Sequence, residues 1–483
     1  MLDWNIAHKN QNMNIPLCVD CDGTLLKTDF LHEALFLLLK QSPASIFLLP
    51  IWLARGKAYF KQKIASRVEI NYELLPLHDE VINLINEARS KGRHVVLATA
   101  SPQIWANGLA DKLNLFHEVI ASDAHTNLSG SAKAEKLVDR FGDRRFDYVG
   151  NDHVDLQVWA HAAGAIVVSN NESLAKKAAN LTEIKQVIKP IKKTFKSYLK
   201  ALRPHQWLKN LLIWLPLAAA HQLSSTDGLI NGLYAFVSFS LCASAVYIIN
   251  DLLDLESDRA HLRKRKRSFA SANIPIWQGT LMVPLLLIIS VQLALRLPSE
   301  FFIVLSFYFL MTLAYSLRLK RQVIVDVILL AGLYTIRVVA GAAATATIPS
   351  FWLLALSMFI FLSLAMIKRY SELLVTLQEQ KTEPAGRGYQ ITDLPVLMAI
   401  GVSAGIASVM VLALYVNSPE STALYQHKVW LWLAPPLLLY WISRCWMKAH
   451  RGEVDDDPVI FAIRDWQSLT ICAALLCLVW LAI

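Results

Sequence analysis

Hydrophobic and polar positions are spread unevenly along this chain, and the pattern changes near residue 200. Before that point, short apolar runs alternate with amphipathic stretches. The runs Pro16-Leu-Cys-Val19, His94-Val-Val-Leu-Ala98 and Asp147-Tyr-Val-Gly150 read as buried strands. Strands separated by helical stretches predict a parallel sheet, whose ligands gather at the strand C-termini. Beyond about 203 the apolar runs lengthen. Stretches at about 208–222, 229–250, 276–296, 299–317, 323–345, 350–367, 394–416, 428–444 and 466–483 predict roughly nine transmembrane helices of about 20 residues. The expected organisation is an α/β domain over 1–184, a basic amphipathic linker over 185–202, and an all-α membrane domain over 203–483.

Polar residues give the membrane half a direction. Loops after the second, fourth, sixth and eighth predicted spans carry Arg259–Arg267, Arg318-Leu-Lys-Arg321, Lys368-Arg369 and Arg444–Arg451. The intervening loops at 223–228, 297–298, 346–349 and 417–427 hold no Lys or Arg. The positive-inside rule then makes the basic loops cytoplasmic and places the C-terminus outside, in a bacterial-type inner (plasma) membrane. Met1-Leu-Asp-Trp-Asn5 has no basic-then-apolar leader pattern, so the N-terminal domain is expected in the cytoplasm too.

Composition sharpens this reading only a little. The 483 residues are 55% hydrophobic with a formal net charge of +9. That charge sits in a few loops, which suits an anionic membrane face or anionic substrates. No basic groove interleaved with aromatics is present, so no nucleic acid partner is expected. Cys18 and Cys21 share an apolar strand with Asp20 and read as buried small side chains rather than a redox pair.

Acids and hydroxyls close each N-terminal strand. Asp20-Cys-Asp22-Gly-Thr24 follows the first, Thr99-Ala-Ser101 the second, and Asn151-Asp-His-Val-Asp155 the third, with Lys133 after a Gly/Ser turn. This chemistry fits phosphoryl transfer through an aspartyl-phosphate. Asp20 is then the nucleophile and Asp22 the acid/base, with Thr99 and Lys133 on the phosphate oxygens. One Mg²⁺ is expected on Asp20, the Asp22 backbone carbonyl and the group Asn151, Asp152 and Asp155. In these motifs the chain resembles the haloacid dehalogenase (HAD) hydrolases, a Rossmann-type parallel sheet with a helical cap, here expected at about 30–76. The family's last motif usually reads G-D-x-x-x-D. Asn151 stands where its first acid is expected, so either Asp152 substitutes or metal binding weakens. A HAD fold kept as scaffold or regulator is the alternative. The apolar cap is expected to lean on the bilayer with Arg55, Lys57, Lys61 and Lys63 towards headgroups, or to be a plain internal core.

A second acidic cluster closes the second span: Asn250-Asp251-Leu-Leu-Asp254-Leu-Glu-Ser-Asp258. On a helix, Asp251, Asp254 and Asp258 lie at i, i+3 and i+7 on one face. Each costs roughly 2.5–3.5 kcal/mol inside hydrocarbon, so a cation is expected between them. Oxygen ligands without His or Cys favour Mg²⁺, one or two ions, accompanied by substrate phosphates. A polar helix end at headgroup level is the plainer reading; Asn250, the register and the basic run Arg259–Arg267 point away from it. Asp326 and Arg337 also lie in one apolar span. Eleven residues is about 16 Å, too far for direct contact within one helix. His450-Arg-Gly-Glu-Val-Asp455-Asp-Asp-Pro458 reads as a solvated acidic turn, with a metal ligand as the alternative.

Together N-D-x-x-D-x-x-x-D and the following Lys266-Arg267 resemble the UbiA superfamily of intramembrane transferases. Arg203-Pro-His-Gln-Trp-Leu-Lys-Asn210, Tyr315-Ser-Leu-Arg-Leu-Lys320 and Lys368-Arg-Tyr370 resemble its branch of decaprenyl-phosphate phosphoribosyltransferases. The second acidic motif of aromatic prenyltransferases is missing; Asp326 stands alone. The resemblance implies catalytic Asp251, Asp254 and Asp258, with metal binding by these three and Asn250. It also implies substrate contacts from Arg203, Lys209, Asn250, Lys266, Arg267, Tyr315, Lys320, Asp326, Arg337, Lys368 and Arg369. The donor it implies is phosphoribosyl pyrophosphate and the acceptor a polyprenyl phosphate, with transfer of a prenyl group from a prenyl diphosphate as the alternative. A solute carrier with a regulatory HAD domain is the reading from another class. An oligomer is compatible with either.

Overall fold

The computed structural model describes residues 15–190, 194–378, 388–454 and 458–483. The leader reading at 1–5, Lys192 and Lys193 of the linker, and Asp455–Asp457 of the acidic turn therefore lie outside the described residues. The chain divides into two compact units. One joins Met1–Ala201 with Ile248–Leu281, and the other joins Leu202–Tyr247 with Met282–Ile483.

In the first unit the predicted strands are β1 (Leu17–Val19), β2 (Val95–Pro102) and β4 (Asp147–Gly150), joined by β3 (Glu118–Ser122), β5 (Gly164–Val168) and β6 (Glu183–Ile188). All pair in parallel, in the order β3-β2-β1-β4-β5-β6. Leu17 lies opposite both Val95 and Asp147. Side chains alternate across a strand, so Leu17, Val19, Leu97 and Val149 enter one core while Cys18, Val96, Tyr148 and Ala165 enter the other. Cys18 and Cys21 are buried free thiols. The sheet continues through Ile188, into the stretch expected to be linker. Lys185 is drawn to it by Asp147, a fully buried carboxylate at 2.7 Å that Arg93 also meets at 2.5 Å.

After β1 come α1 (Phe30–Gln41), a 3₁₀ stretch at Pro43–Leu48, α2 (Leu49–Ala54) and α3 (Lys57–Ala65), the helical cap. Trp52 packs inward, whereas Phe47, Ile51 and Leu53 are exposed, Phe47 by 82%. Arg55 and Lys57 are exposed. Lys61 instead turns inward, as described below. Four further helices cover the sheet: α4 (Asp79–Ser90), α5 (Gln103–Leu113), α6 (Ser131–Phe141) and, after the short α7 (Leu156–Trp159), α8 (Glu172–Ala179). Helix α9 (Phe195–Leu202) follows β6.

Among the described residues, six helices are long and apolar enough to cross a membrane, or seven if a bent pair is one span. In chain order the remaining helices are α10 (Leu215–Ala219), α11 (Thr226–Leu253), α12 (Leu255–Ala260), α13 (Ile276–Ala294), α14 (Ser299–Leu317), α15 (Val325–Ala344), α16 (Phe351–Gln378), α17 (Leu394–Val416), α18 (Pro419–Leu424), α19 (Ala434–His450), α20 (Pro458–Arg464) and α21 (Trp466–Ala482). The long spans are α11, α13, α14, α15, α16 and α17 with its leading turn; α20 and α21 meet at 80°. The expected count of about nine is thus not reached. The stretch at 208–222 is a 3₁₀ run, Pro204–Trp214, followed by the five residues of α10. That at 428–444 is a 3₁₀ run, Lys428–Leu433, before the 17 residues of α19. Proline explains both breaks: Pro216 and Pro435 stand at the first turn of the α-segment, where no N–H is available to carry the ladder back.

Within the second unit α15 approaches the 3₁₀ run so closely that only glycine fits at 341. A Cβ there would lie 2.0 Å from the Ile213 carbonyl oxygen. Gly341→Ala is therefore expected to cost about 1–3 kcal/mol. The check is a lowered thermal unfolding temperature of the full chain in detergent; an unchanged one would contradict this packing.

Candidate active sites

Asp20 stands one residue past β1, with its N–H on the Val149 carbonyl at 3.0 Å. The turn that follows needs Gly23 at φ +75°, and a Cβ there would meet Asn151 Nδ2 at 2.3 Å. Lys133 Nζ, on α6, donates to Asp20 Oδ1 at 2.6 Å and to the Tyr148 hydroxyl at 2.8 Å. Tyr148 in turn donates to Asp155 Oδ1 at 3.0 Å. Asp22 accepts the Ser101 hydroxyl at 2.6 Å and the Phe30 N–H at 2.8 Å. The four sequence clusters thus meet at the C-terminal edge of the sheet, as parallel strands dictate.

The last motif resolves in an unexpected way. Asp155 uses Oδ2 on the N–H groups of Asn151 and Asp152, at 2.9 and 3.0 Å, so it shapes the loop. Asp152 caps the next turn through the His153 N–H and is exposed. Asn151 Oδ1 accepts the Thr24 hydroxyl at 3.0 Å, and that hydroxyl lies 3.5 Å from Asp20 Oδ2. The amide, not Asp152, therefore accompanies the Asp20 carboxylate. Thr99 is fully buried and its oxygen accepts the Ser101 N–H at 3.0 Å.

Burial raises both acids. Asp20 is pushed up to about 6 by desolvation and Asp155, against the pull of Lys133. Asp22 is pushed up to about 7 by desolvation and then by Asp29. Burial works against the Lys133 ammonium, but Asp20 and Asp155 outweigh it and hold its pKa above the ordinary value. Sequence reasoning missed Lys61. From α3 it reaches the Ala100 carbonyl at 2.8 Å and Asn127 Oδ1 at 3.4 Å, beside Ser101. Burial lowers its pKa. No local pattern separates it from the exposed Arg55 and Lys57; only the packing of α3 does.

The second acidic cluster also lies in the first unit. Helix α11 ends at Leu253, but the ladder carries on into α12 through Asp254 N–H to Asn250 O (2.9 Å) and Asp258 N–H to Asp254 O (2.8 Å). Asp251 and Asp258 are both buried and converge on one guanidinium nitrogen. Arg267 Nη1 lies 3.1 Å from Asp251 Oδ1, and 3.0 and 2.7 Å from the two Asp258 oxygens. Asp254 does not join them; its carboxylate faces Lys40 of α1 at 3.9 Å. Asn250 Oδ1 is buried without a hydrogen-bond partner among the described residues. Lys266 is exposed, and its carbonyl accepts from Lys200 at 2.7 Å. Among the described residues no three His, Cys, Asp or Glu side chains cluster as a metal site by themselves. A divalent ion at either place would need amide, backbone or phosphate oxygens as well.

In the second unit the intramembrane charges have separate partners. Asp326 pairs with Arg369 at 2.7 Å and accepts the Tyr389 hydroxyl at 2.5 Å, both charged groups being fully buried. Arg369 also meets Glu372. Arg337 donates to Asn210 Oδ1 at 2.8 Å and sits over the rings of Tyr308, Phe239 and Tyr334 at 5.2, 5.3 and 5.6 Å. Asn210 donates onward to Ser240 at 2.9 Å. Lys209, also buried, lies over Tyr334 at 5.5 Å, and Arg203 over Tyr247 at 5.3 Å. Tyr315 on α14, Lys320 in the turn after it and Lys368 on α16 are half-buried. Tyr389, the third member of the Asp326 pair, lies outside every stretch singled out in the sequence.

Known proteins bear on these two sites. The profile of the UbiA prenyltransferase family matches residues 211–481, and that of the haloacid dehalogenase-like hydrolases matches 17–163. An uncharacterized protein, y4nM of Sinorhizobium fredii, is 35% identical over 94% of this chain and 88% of its own length. Nodulation protein NoeC of Azorhizobium caulinodans is 35% identical over 57% of this chain and 89% of its own. Decaprenyl-phosphate phosphoribosyltransferase of Mycolicibacterium smegmatis is 37% identical, over 38% of this chain and 59% of that enzyme. This chain belongs to the UbiA prenyltransferase family, is an integral membrane protein, and carries a HAD-like domain at its N-terminus.

Proposed function

We propose that the protein moves 5-phosphoribose from phosphoribosyl pyrophosphate to a polyprenyl phosphate, and that the HAD-like domain then removes the 5′-phosphate from the product. The observation that carries this reading is the convergence of Asp251 and Asp258 on a single cationic centre, preceded in the chain by Asn250, whose buried oxygen has no hydrogen-bond partner among the described residues. Two carboxylates and an amide oxygen are the hard donors Mg²⁺ takes, so the residues fit that ion. When bound, Mg²⁺ would neutralise charge on the departing diphosphate. Asp251 and Asp258 would hold it, and Arg267, the cation they share in this structure, would pair with the diphosphate oxygens. In the reaction an oxygen of the acceptor phosphate attacks C1 of the ribose as the C1–O bond to diphosphate breaks; Lys209, Arg203, Lys368 and Lys320 are the cations that the second unit offers to a phosphate. Arg369 and Asp326 pair with each other and Arg337 with Asn210, so their part in this reading is structural. The likeness of part of the chain to a phosphoribosyltransferase supports this donor over a prenyl diphosphate.

In the HAD-like domain Asp20 and the Asn151 amide, which share the Thr24 hydroxyl, would offer oxygens to one Mg²⁺, with one negative charge fewer than an Asp pair would give. Asp20, ionised beside Lys133, attacks phosphorus. Asp22, with the higher pKa, keeps a proton and gives it to the leaving 5′-oxygen. The exposed Phe47, Ile51 and Leu53 support a cap that rests on lipid, where a polyprenyl-linked substrate is held. In this reading the basic loops and the HAD-like domain are cytoplasmic, and the C-terminus is outside.

Membranes containing the protein, given Mg²⁺, phosphoribosyl pyrophosphate and polyprenyl phosphate, should release pyrophosphate and form ribosylated lipid. Asp251→Asn should lower that rate on the order of 10²–10³-fold. Asp20→Asn should leave the transfer intact and accumulate the 5′-phosphorylated lipid; free phosphate at the wild-type rate would remove the phosphatase role. Lys61→Ala should lower phosphatase kcat/KM about tenfold, the value of one lost charge-assisted contact to phosphate. An unchanged KM and kcat would restrict Lys61 to bracing the cap.

A further inference from the structure

Residues 248–281 are fastened to the N-terminal domain by side chains of the cap. Arg259, just after the acidic motif, makes a two-pronged pair with Glu33 of α1, at 2.6 Å (Nη2 to Oε1) and 3.1 Å (Nη1 to Oε2). Both side chains are almost wholly buried, with 6% and 2% exposed. Arg259 Nε donates to the Ala270 carbonyl at 3.0 Å, which ties the same guanidinium to the segment carrying Arg267. Two weaker contacts flank the pair: Lys40 to Asp254 at 3.9 Å, and the Asn71 N–H to Glu256 Oε1 at 3.2 Å. Helix α12 thus has two occupied sides. Asp258, with Asp251, answers to Arg267, while Asp254, Glu256 and Arg259 answer to the cap.

A buried Glu–Arg pair of this geometry is costly to desolvate, and removing one partner leaves the other charge stranded. It is also rigid, because the guanidinium fork fixes direction as well as distance. The cap helix that supplies Glu33 begins at Phe30, whose N–H is held by Asp22. One turn of α1 therefore separates the phosphatase acid from the residue gripping the transferase motif.

We propose that Glu33 is a positioning residue for the transfer reaction: through Arg259 it sets the spacing of Asp258 and Asp251, so that the HAD-like cap completes the diphosphate-gripping motif. This inference rests on the reading of that motif given above. It assigns the N-terminal domain a task in transfer that is independent of its own hydrolysis. It also makes cap displacement and transfer mutually dependent, since α1 cannot swing away without dragging or releasing α12.

The test uses the full chain in detergent or nanodiscs, with Glu33→Gln and the swapped pair Glu33→Arg with Arg259→Glu. Expected for Glu33→Gln is at least a tenfold rise in the Mg²⁺ concentration giving half-maximal pyrophosphate release. Hydrolysis of p-nitrophenyl phosphate should stay within twofold of wild type, and backbone amides of 254–262 should exchange hydrogen faster. The swap should recover most of the Mg²⁺ dependence. Unchanged exchange and unchanged Mg²⁺ dependence in Glu33→Gln would overturn the proposal, as would a loss that the swap fails to recover while the protein melts like wild type. Absence of phosphoribosyl transfer in the wild type, with exchange still faster in Glu33→Gln, would overturn the donor assignment and uphold the latch.

Discussion

Negative charge placed against an apolar interior has to be answered, and the arrangement around Asp251 and Asp258 follows from that requirement. Both carboxylates are buried, Asp251 in the last turn of a 28-residue apolar helix and Asp258 in the short helix that follows it. Left alone they would repel each other across a few ångströms of weakly screening medium. One nitrogen of Arg267 answers both, and Arg267 stands at the end of the basic run that the sequence places directly after them. The same rule governs the second unit, where Asp326 and Arg369 are fully buried yet 2.7 Å apart, and Arg337 is wrapped in aromatic faces. Those pairs are closed internally, while the pair at Asp251 and Asp258 shares its cation with a motif that still has an unanswered amide oxygen.

Much of the N-terminal site was legible because a parallel sheet converts sequence order into spatial convergence. Asp20, Thr99 and Asn151 are far apart in the chain, but each closes a strand, and strand ends meet. What the sequence could not give is the allocation of each group once there. Asp152 and Asp155 look equivalent to each other as letters, yet one caps a turn and the other braces its loop. Lys61 looks like its basic neighbours, yet packing turns it towards the Ala100 carbonyl. In the membrane half, hydropathy located the apolar runs but overcounted continuous spans. A window average does not register that Pro216 and Pro435 interrupt the ladder. The helical register placed Asp254 on the same face as Asp251 and Asp258, which held for two of the three. A charge on a distant segment, Lys40, takes the third, and periodicity carries no information about such partners.

The two chemistries proposed for this chain ask opposite things of their acids. In the HAD-like domain, burial holds Asp20 and Asp22 near neutrality, one with a lysine at 2.6 Å and one with only hydroxyl and amide donors. The difference in partners separates nucleophile from proton donor although the two lie two residues apart. In the acidic motif, no proton has to move. There the carboxylates serve as fixed negative charge, and their value lies in spacing.

The first unit is discontinuous: it closes only when residues 248–281 join residues that precede 201. A ribosome releases the N-terminal sheet early, and its strands can pair without further help. The cap face around Glu33 cannot be finished until the chain has been made through α11 and that helix has entered the bilayer. Completion of the first unit is thereby tied to synthesis and insertion of α11, and a nascent chain that stopped short of it would leave Glu33 without its Arg259 partner.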